Sequence, residues 1–252
     1  MKKTLVFYWY VPSFFWHEVY DLHLKNLALY KDVFDYILFA ISVDENSCDV
    51  DETINRIKSV VPNANFVVVE NNKEQRESKF FYDSIISSIG SATQEGAIFF
   101  AHNKGVESTY MPNDERDRWI NTMYYFNLRN QGKIDEMLSD EKTIVIGTAK
   151  IVNYTSIGFA WCEHKWHYTG TFYWIVPNRL NKWLADNSIV PMPVNGRYYA
   201  EGFWGTLFND DADECKCVGG IKRFNERFDS YIKRVATPEE LEDFIELYEK
   251  TK

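Results

Sequence analysis

Through the first half of the chain, short apolar runs alternate with stretches whose apolar residues recur at helical spacing. Thr4 to Val11 is rich in β-branched and aromatic residues and is closed by Pro12-Ser13, which predicts a buried first strand. Val19, Leu22, Leu27 and Tyr30 follow at helical spacing within 16–31, a helix crossing back over the sheet. Tyr36 to Ser42 is the second predicted strand, 51–61 a short helix ended by Pro62, and Asn65 to Glu70 the third strand. A charged stretch, Asn71 to Ser78, leads into an apolar helix over 79–90. The fourth strand is Ala97-Ile98-Phe99-Phe100-Ala101, and it stops abruptly at His102-Asn103-Lys104-Gly105. This order implies a mostly parallel sheet with right-handed crossovers, whose ligands gather outside the carboxyl ends of the strands. The loops 9–13, 43–47, 71–78 and 102–108 are therefore expected to converge on one crevice.

The second half is patterned less regularly. Trp119, Met123 and Phe126 mark one face of a helix over 114–129, with a second helix at 133–139 and a strand from Thr143 to Ala149. The stretch 150–166 reads as loop with short strands, and His167 to Val176 as one strand ending at Pro177. Helices follow at 178–186 and 201–208, the second opened by Glu201. From Thr237-Pro238-Glu239-Glu240, a capping sequence, an acidic amphipathic helix runs through the remaining residues. No internal repeat or low-complexity linker interrupts the chain, so its 252 residues are expected to form one α/β domain.

Composition narrows the partners. With a net charge of −9 and no long basic run, the chain offers no nucleic-acid-binding surface, and an anionic ligand would need a local cationic pocket. Aromatic residues make up 17% of the chain and crowd into 161–174 and 198–204, more than a core requires, so some rings are expected to line a cleft where sugars could stack. Cys48, Cys162, Cys215 and Cys217 are scattered, and the C-x-C pair cannot form a relaxed mutual bridge. That points to a reduced, cytoplasmic protein. The opening residues lack the small-residue cleavage site of a leader, and no run is long enough to cross a bilayer, so any membrane association would be peripheral or through a partner.

Chemistry concentrates at few positions. His102, Asn103 and Lys104 supply a ring, an amide and a fixed positive charge ahead of a glycine, a set suited to a diphosphate; a polar strand end closed by a turn is the alternative. Asp44, after the second strand, is placed to hold vicinal hydroxyls, or is one acid of a solvated loop. Cys162-Glu163-His164 with His167 lacks the matching second pair of a zinc site. Neither G-x-x-x-x-G-K-[ST] nor G-x-G-x-x-G occurs, and no G-x-S-x-G elbow. Glu201, between an aromatic pair and Gly202-Phe203-Trp204-Gly205, is a carboxylate sheltered from bulk water, as general-base work requires; a carboxylate favoured by a helix N-terminus is the other reading.

Three stretches carry a family resemblance. Glu70-Asn71-Asn72-Lys73-Glu74-Gln75-Arg76 ahead of an aromatic-rich helix is similar to the Asn-x-Gly-Arg-Asp loop of rhamnan-synthesis-F-like glycosyltransferases. Phe100-Ala101-His102-Asn103-Lys104-Gly105 is similar to their His-Thr-Lys segment, and Tyr168-Thr169-Gly170-Thr171-Phe172-Tyr173-Trp174-Ile175-Val176-Pro177 to their Gly-Thr-Met-Phe-Trp strand. In order and spacing these cover most of residues 1–210. The resemblance implies a GT-A-like fold, a mostly parallel twisted sheet flanked by helices with a C-terminal acceptor-side extension. It divides the chain into a nucleotide-binding half (1–110), an acceptor-side half (111–236) and the helix 237–252. It also implies transfer of a sugar from a nucleotide-diphosphate donor to a hydroxyl of a glycan acceptor during surface polysaccharide or glycoconjugate synthesis. Glu201 takes the place of the acid in the acceptor-side helix, although Gly202 stands where the pattern has a second acid.

On that resemblance, Tyr8, Trp9, Asp44, Arg76, His102, Asn103 and Lys104 are expected to bind the donor, Thr171, Trp174 and Trp204 to form the acceptor or sugar wall, and Glu201 to be the base of an inverting transfer. The fourth strand lacks the Asp-x-Asp that commonly holds Mn²⁺ or Mg²⁺; a lysine there could replace the cation's charge, so metal-independent transfer is open, His102 stays a candidate ligand and no ion is assigned. The rival reading is a non-catalytic carbohydrate- or nucleotide-binding protein on the same fold. A nucleotidyltransferase ranks last, because the glycine-rich, arginine-containing loop it would need is missing from 9–15.

Overall fold

The structure, a computed structural model, describes residues 1–13, 17–87, 96–103, 105–106, 113–148, 150–152, 166–168, 170–191, 196, 198–218 and 237–250. In chain order its elements are β1 (Lys3–Tyr10), α1 (His17–Tyr30), a 3₁₀ turn (Lys31–Val33), β2 (Tyr36–Val43), α2 (Val50–Val60) and β3 (Asn65–Glu70). Next come α3 (Glu77–Phe81), a π-helical turn (Tyr82–Ile86), β4 (Ala97–His102), α4 (Asn113–Leu128), α5 (Gln131–Ser139), β5 (Val145–Gly147) and β6 (Lys150–Val152). The last elements are β7 (Trp166–Tyr168), β8 (Tyr173–Ile175), α6 (Pro177–Asp186), α7 (Tyr199–Leu207), β9 (Cys215–Cys217) and α8 (Pro238–Lys250).

The main sheet has the order β3-β2-β1-β4-β8-β5-β9. β1, β2, β3 and β4 are mutually parallel, and β8 runs antiparallel to both of its neighbours, β4 and β5. The fold is therefore α/β with a mostly parallel seven-stranded sheet, compatible with a Rossmann-like arrangement. From β1 the chain winds outward to β2 and β3, then crosses to β1's other side for β4. The junction of β1 and β4 is thus the topological switch point, where open sheets of this kind bind ligands.

Strand alternation divides the core between the two faces. Leu5, Phe7 and Trp9 of β1, Phe39 of β2, Phe99 of β4 and Trp174 of β8 bury against one side. That side is covered by α1 and α4, which are joined by His23 Nδ1 and Tyr124 OH at 2.9 Å and by Asn26 Nδ2 donating to Asn121 Oδ1 at 2.9 Å. Val6, Tyr8, Phe100 and Tyr173 face the other side, with Phe81 of α3 and Phe203 and Trp204 of α7. Edge strand β3 is half open, with Val67 and Val68 exposed.

Three expectations need correction. His167 to Val176 is not one strand: β7 pairs with β6 in a separate two-stranded sheet, while β8 joins the main sheet. Gly170, at φ 77°, turns the chain between them in a conformation that side chains resist. The helix expected over 79–90 begins at Glu77 and passes into the π turn after Phe81; residues 88–90 lie outside those described. The strand expected from Thr143 is confined to Val145–Gly147, and Ala149 is outside the described residues. The cap before α8 forms as its sequence dictates, with Thr237 N donating to Glu240 Oε2 at 2.8 Å and Glu240 N to Thr237 Oγ1 at 3.3 Å.

α7 lies against β7 at backbone distance. A Cβ on Gly205 would overlap the Trp166 carbonyl oxygen, so only glycine permits this approach. Gly205→Ala should destabilise the fold by roughly 1–3 kcal/mol, the usual result of forcing a methyl into a filled space. A lower urea midpoint at unchanged slope is the expected readout.

Candidate functional site

The carboxyl ends of β1, β2 and β3 are joined by a polar network. Tyr8 donates its hydroxyl to Asn71 Oδ1 at 2.9 Å, and Ser42 Oγ lies 2.7 Å from the Tyr8 hydroxyl oxygen. With the single phenolic proton given to Asn71, the serine is the donor to Tyr8. Two residues on, Tyr10 donates to Asp44 Oδ2 at 2.9 Å, and Asp44 Oδ1 accepts from the Asn46 amide at 3.0 Å. Ser47 ties the same loop down, accepting from Asp44 N at 2.9 Å and donating to Val11 O at 2.5 Å. The result is a fixed shelf over the switch point.

Charge follows from these contacts. Burial pushes the Tyr10 phenol up to about 12, reinforced by its hydrogen bond to Asp44 and that residue's charge, while Arg76 works the other way. Burial also raises Asp44, but hydrogen bonds from the Asn46 amide, Tyr10 and Asn71, together with the Lys73 charge, outweigh it and hold the carboxyl below its usual range. Asp44 is thus an anion at neutral pH with Tyr10 beside it as a neutral donor.

A second cluster meets this shelf at β4. The β1–β4 register pairs Tyr8 with His102, so ring and phenol lie side by side on one face. Glu77, at the start of α3, puts Oε1 3.7 Å from His102 Nδ1, with both side chains about nine-tenths buried. Arg76 immediately before it has φ 49° and ψ −129°, a left-handed backbone that is unusual for a side-chain-bearing residue. This turn sets the direction in which α3 leaves the loop. Ser78 then accepts from Ala200 N at 3.0 Å, and Tyr173 donates to Ala200 O at 3.0 Å, which locks the start of α7 to α3 and β8. Glu201 follows, 7% exposed. Burial pushes the Tyr173 phenol well up, the Trp204 indole opposes this, and the charges of Glu201 and Glu77 add to the rise. The charges of both carboxylates are thus felt at one buried hydroxyl, and that of Glu77 also at Tyr8. β4 and α3 thus bring His102 and Glu77 together, and α7 carries Glu201 just after the Ala200 carbonyl that Tyr173 holds.

Several expected site residues are placed elsewhere. Trp9 is wholly buried on the α1 side against Tyr20 and His23, because alternation along β1 turns it away from Tyr8. Trp174 and Trp204 are wholly buried on opposite faces of the sheet and share no wall. Trp174 packs on Phe34 and Phe99 and donates to Asn127 O at 3.0 Å; Trp204 packs on Phe81, Tyr173 and Phe203. Asn103 is committed to the backbone, accepting from Tyr10 N at 2.9 Å and donating to Tyr10 O at 2.7 Å. Thr171 is fully buried, two residues before the Tyr173 that pairs with Phe100, which brings it level with the end of β4. Of the expected residues, Tyr8 and Asp44 are joined through Asn71 and His102 pairs with Tyr8 in the strand register, while the Arg76 charge acts on Tyr8 and Tyr10 and the Glu201 charge on Tyr173. Lys104 and the Cys162-Glu163-His164 cluster lie outside the described residues.

Tyr10, Ser42, Asn71 and Glu77 are members that the sequence reading did not single out, although Asn71 and Glu77 bound the charged loop it had placed at the crevice. Among the described residues no group of three or more His, Cys, Asp or Glu side chains is arranged to hold a metal ion. Cys48, Cys215 and Cys217 are not in disulfides, and among the described residues no helix is long and apolar enough to cross a membrane. An open apolar recess of about 400 Å³, lined by Val6, Leu38, Phe80, Ile85 and Ile98 among others, lies toward the amino ends of the strands and has no charged side chain on its walls. Compared with known proteins, the sequence matches no family model and no curated sequence.

The Asp44 carboxyl yields a pH prediction. Its folded pKa lies below the unfolded value of about 3.9, so its contribution is present in full above that pH and is lost as pH falls through the folded value. Asp44→Asn should therefore flatten the acid limb of a stability-against-pH curve below about pH 5 and leave its slope at neutral pH unchanged.

Proposed function

We propose that this chain is a glycosyltransferase that moves a sugar from a nucleotide-diphosphate donor to a hydroxyl of a glycan acceptor. The observation that carries the reading is the polar shelf of Tyr8, Tyr10, Asp44 and Asn71 at the switch point, with the His102–Glu77 contact at the end of β4 and the nearly buried Glu201 at the start of α7. A shelf with a fixed carboxylate suits vicinal ribose hydroxyls, and a nearly buried carboxylate next to it suits proton abstraction. The GT-A-like fold enters on the same footing, through the mostly parallel sheet and the three stretches of sequence resemblance.

In the proposed reaction Glu201 takes the proton of the acceptor hydroxyl as that oxygen attacks the anomeric carbon. The bond from that carbon to the diphosphate oxygen breaks, its electron pair leaves with the nucleoside diphosphate, and the anomeric centre inverts. His102, held by Glu77, faces the leaving side. Asp44 and Tyr10 hold the nucleotide, so their substitution should weaken donor binding more than turnover of bound donor.

Glu201→Gln keeps the size and hydrogen-bonding outline of the side chain but cannot accept the proton. Its transfer rate should fall by at least about a hundredfold, the usual share of a positioned general base, with donor affinity within about twofold of wild type. Turnover unchanged in that variant would remove the base assignment. Tight nucleotide-sugar binding by the wild-type protein, with neither transfer nor donor hydrolysis across acceptors and divalent ions, would make this a binding protein instead.

A further inference from the structure

The switch point has a second charged group that neither the shelf nor the carboxylate cluster uses. Arg116 stands in the first turn of α4 and is 2% exposed. Its stem passes under Gly105, where an added Cβ would come within 2.8 Å of Cγ and 2.9 Å of Cδ. The guanidinium reaches the first turn of α1, with Nη2 4.0 Å from Glu18 Oε2. It therefore lies between the loop after β4 and the helix after β1, the two connections that flank the switch point.

Its hydrogen bonding is incomplete. Nε donates to Asp117 Oδ1 at 3.0 Å, and Nη2 stands 2.9 Å from the same oxygen without hydrogen-bond geometry. Nη1 has no partner among the described residues. A guanidinium has five N–H donors and does not give up its proton, so neutralisation cannot relieve the burial. The first turn of a helix is also the wrong end for a cation, since the dipole there favours negative charge. Both penalties disappear when an oxyanion approaches: it accepts the Nη donors and meets the positive end of α4.

We infer that Arg116 is a receptor for a diphosphate at the β1–β4 switch point, filling the role of a local cationic pocket in a chain that is otherwise acidic. The inference rests on the proposed transferase for its ligand class, and on the buried guanidinium alone for its place. Asp117, whose side chain is 43% exposed, and the more exposed Glu18 are the acids that face the guanidinium. Asp117 holds it in the empty state and competes with the incoming anion, whereas a purely structural Arg116–Asp117 pair would have no ligand to compete for.

The test is titration of the full chain with inorganic pyrophosphate at low salt, followed by thermal shift and calorimetry. Wild-type protein should bind, and Arg116→Met should bind at least tenfold more weakly. Asp117→Asn should bind about fivefold more tightly, because a competing half-exposed charge is gone. Arg116→Lys keeps charge and stem if the methionine variant fails to fold, and it too should weaken binding by losing the planar fork. Absence of binding to wild type, wild-type affinity in both Arg116 variants, or weaker binding by Asp117→Asn would overturn the inference. UDP and GDP run in parallel separate a nucleotide-borne diphosphate, which binds more tightly than pyrophosphate, from a free one, which does not. Pyrophosphate binding that depends on Arg116 in a protein without sugar transfer would sink the transferase reading and leave the anion site standing.

Discussion

The arrangement at the crevice depends on how the ends of β1 and β4 are held together. Where the ladder between them runs out, the Asn103 side chain takes over, pairing with both main-chain polar groups of Tyr10. An amide side chain carries one donor and one acceptor at about the spacing of a peptide group, so it can stand in for another residue of strand. The consequence is geometric: β1 stays extended for two residues beyond Tyr8. Tyr10 thereby reaches Asp44, and the loop after β2 closes onto the end of β1 through Ser47 and Val11. The shelf therefore follows from an asparagine whose side-chain amide is spent on the backbone of Tyr10. A residue placed in the diphosphate site by its neighbours His102 and Lys104 instead sets the shape of the site.

The first four strands were legible because each is a short apolar run followed by a helical period, and burial on both faces leaves a parallel strand little room for polar residues. The convergence of their loops followed from the same order. The sheet beyond β4 was harder to foresee. β5, β8 and β9 have three residues each, too short for periodicity to register, and what fixes them is pairing with partners distant in sequence. The break at Gly170 hides inside an alternating run, because glycine fits either a strand or a left-handed turn and only the turn separates β7 from β8.

The candidate site was legible in part, and its misses share a cause. Glu201, His102 and Asp44 stand out in the sequence because a polar group at the border of an apolar run is conspicuous, whereas Arg76 enters only with the 70–76 loop that carries the resemblance. Trp9, Trp174 and Trp204 were placed in the cleft on composition, which carries no information about which side of a strand a ring takes. The faces are decided by period two: Trp9 goes with Phe7, and Trp174 with Phe99, onto the α1 and α4 side. Glu77 and Arg116 escaped notice because each is one charge among several in a charged stretch. Their burial, at 9% and 2% exposure, distinguishes them, and burial is a property of the packed molecule.

The reversal of β8 explains how chemistry from the second half of the chain arrives at the crevice at all. In an all-parallel sheet, the residues leading into a strand lie at the opposite end from the ligand. Running antiparallel to β4, β8 begins at the carboxyl edge, so Thr171 and Phe172 enter beside His102, whose ring centre is 5.9 Å from that of Phe172. The same reversal sets the Tyr173 hydroxyl, one residue into the strand, against the first turn of α7, where it accepts the burden of orienting the Ala200 carbonyl. Glu201 is the next residue. Its position thus depends on a tyrosine from a reversed strand and a serine from α3, contacts made across 27 and 122 residues of sequence. Held from two independent directions, the Ala200 backbone fixes where the first turn of α7 starts, and with it the position from which the Glu201 side chain leaves the helix.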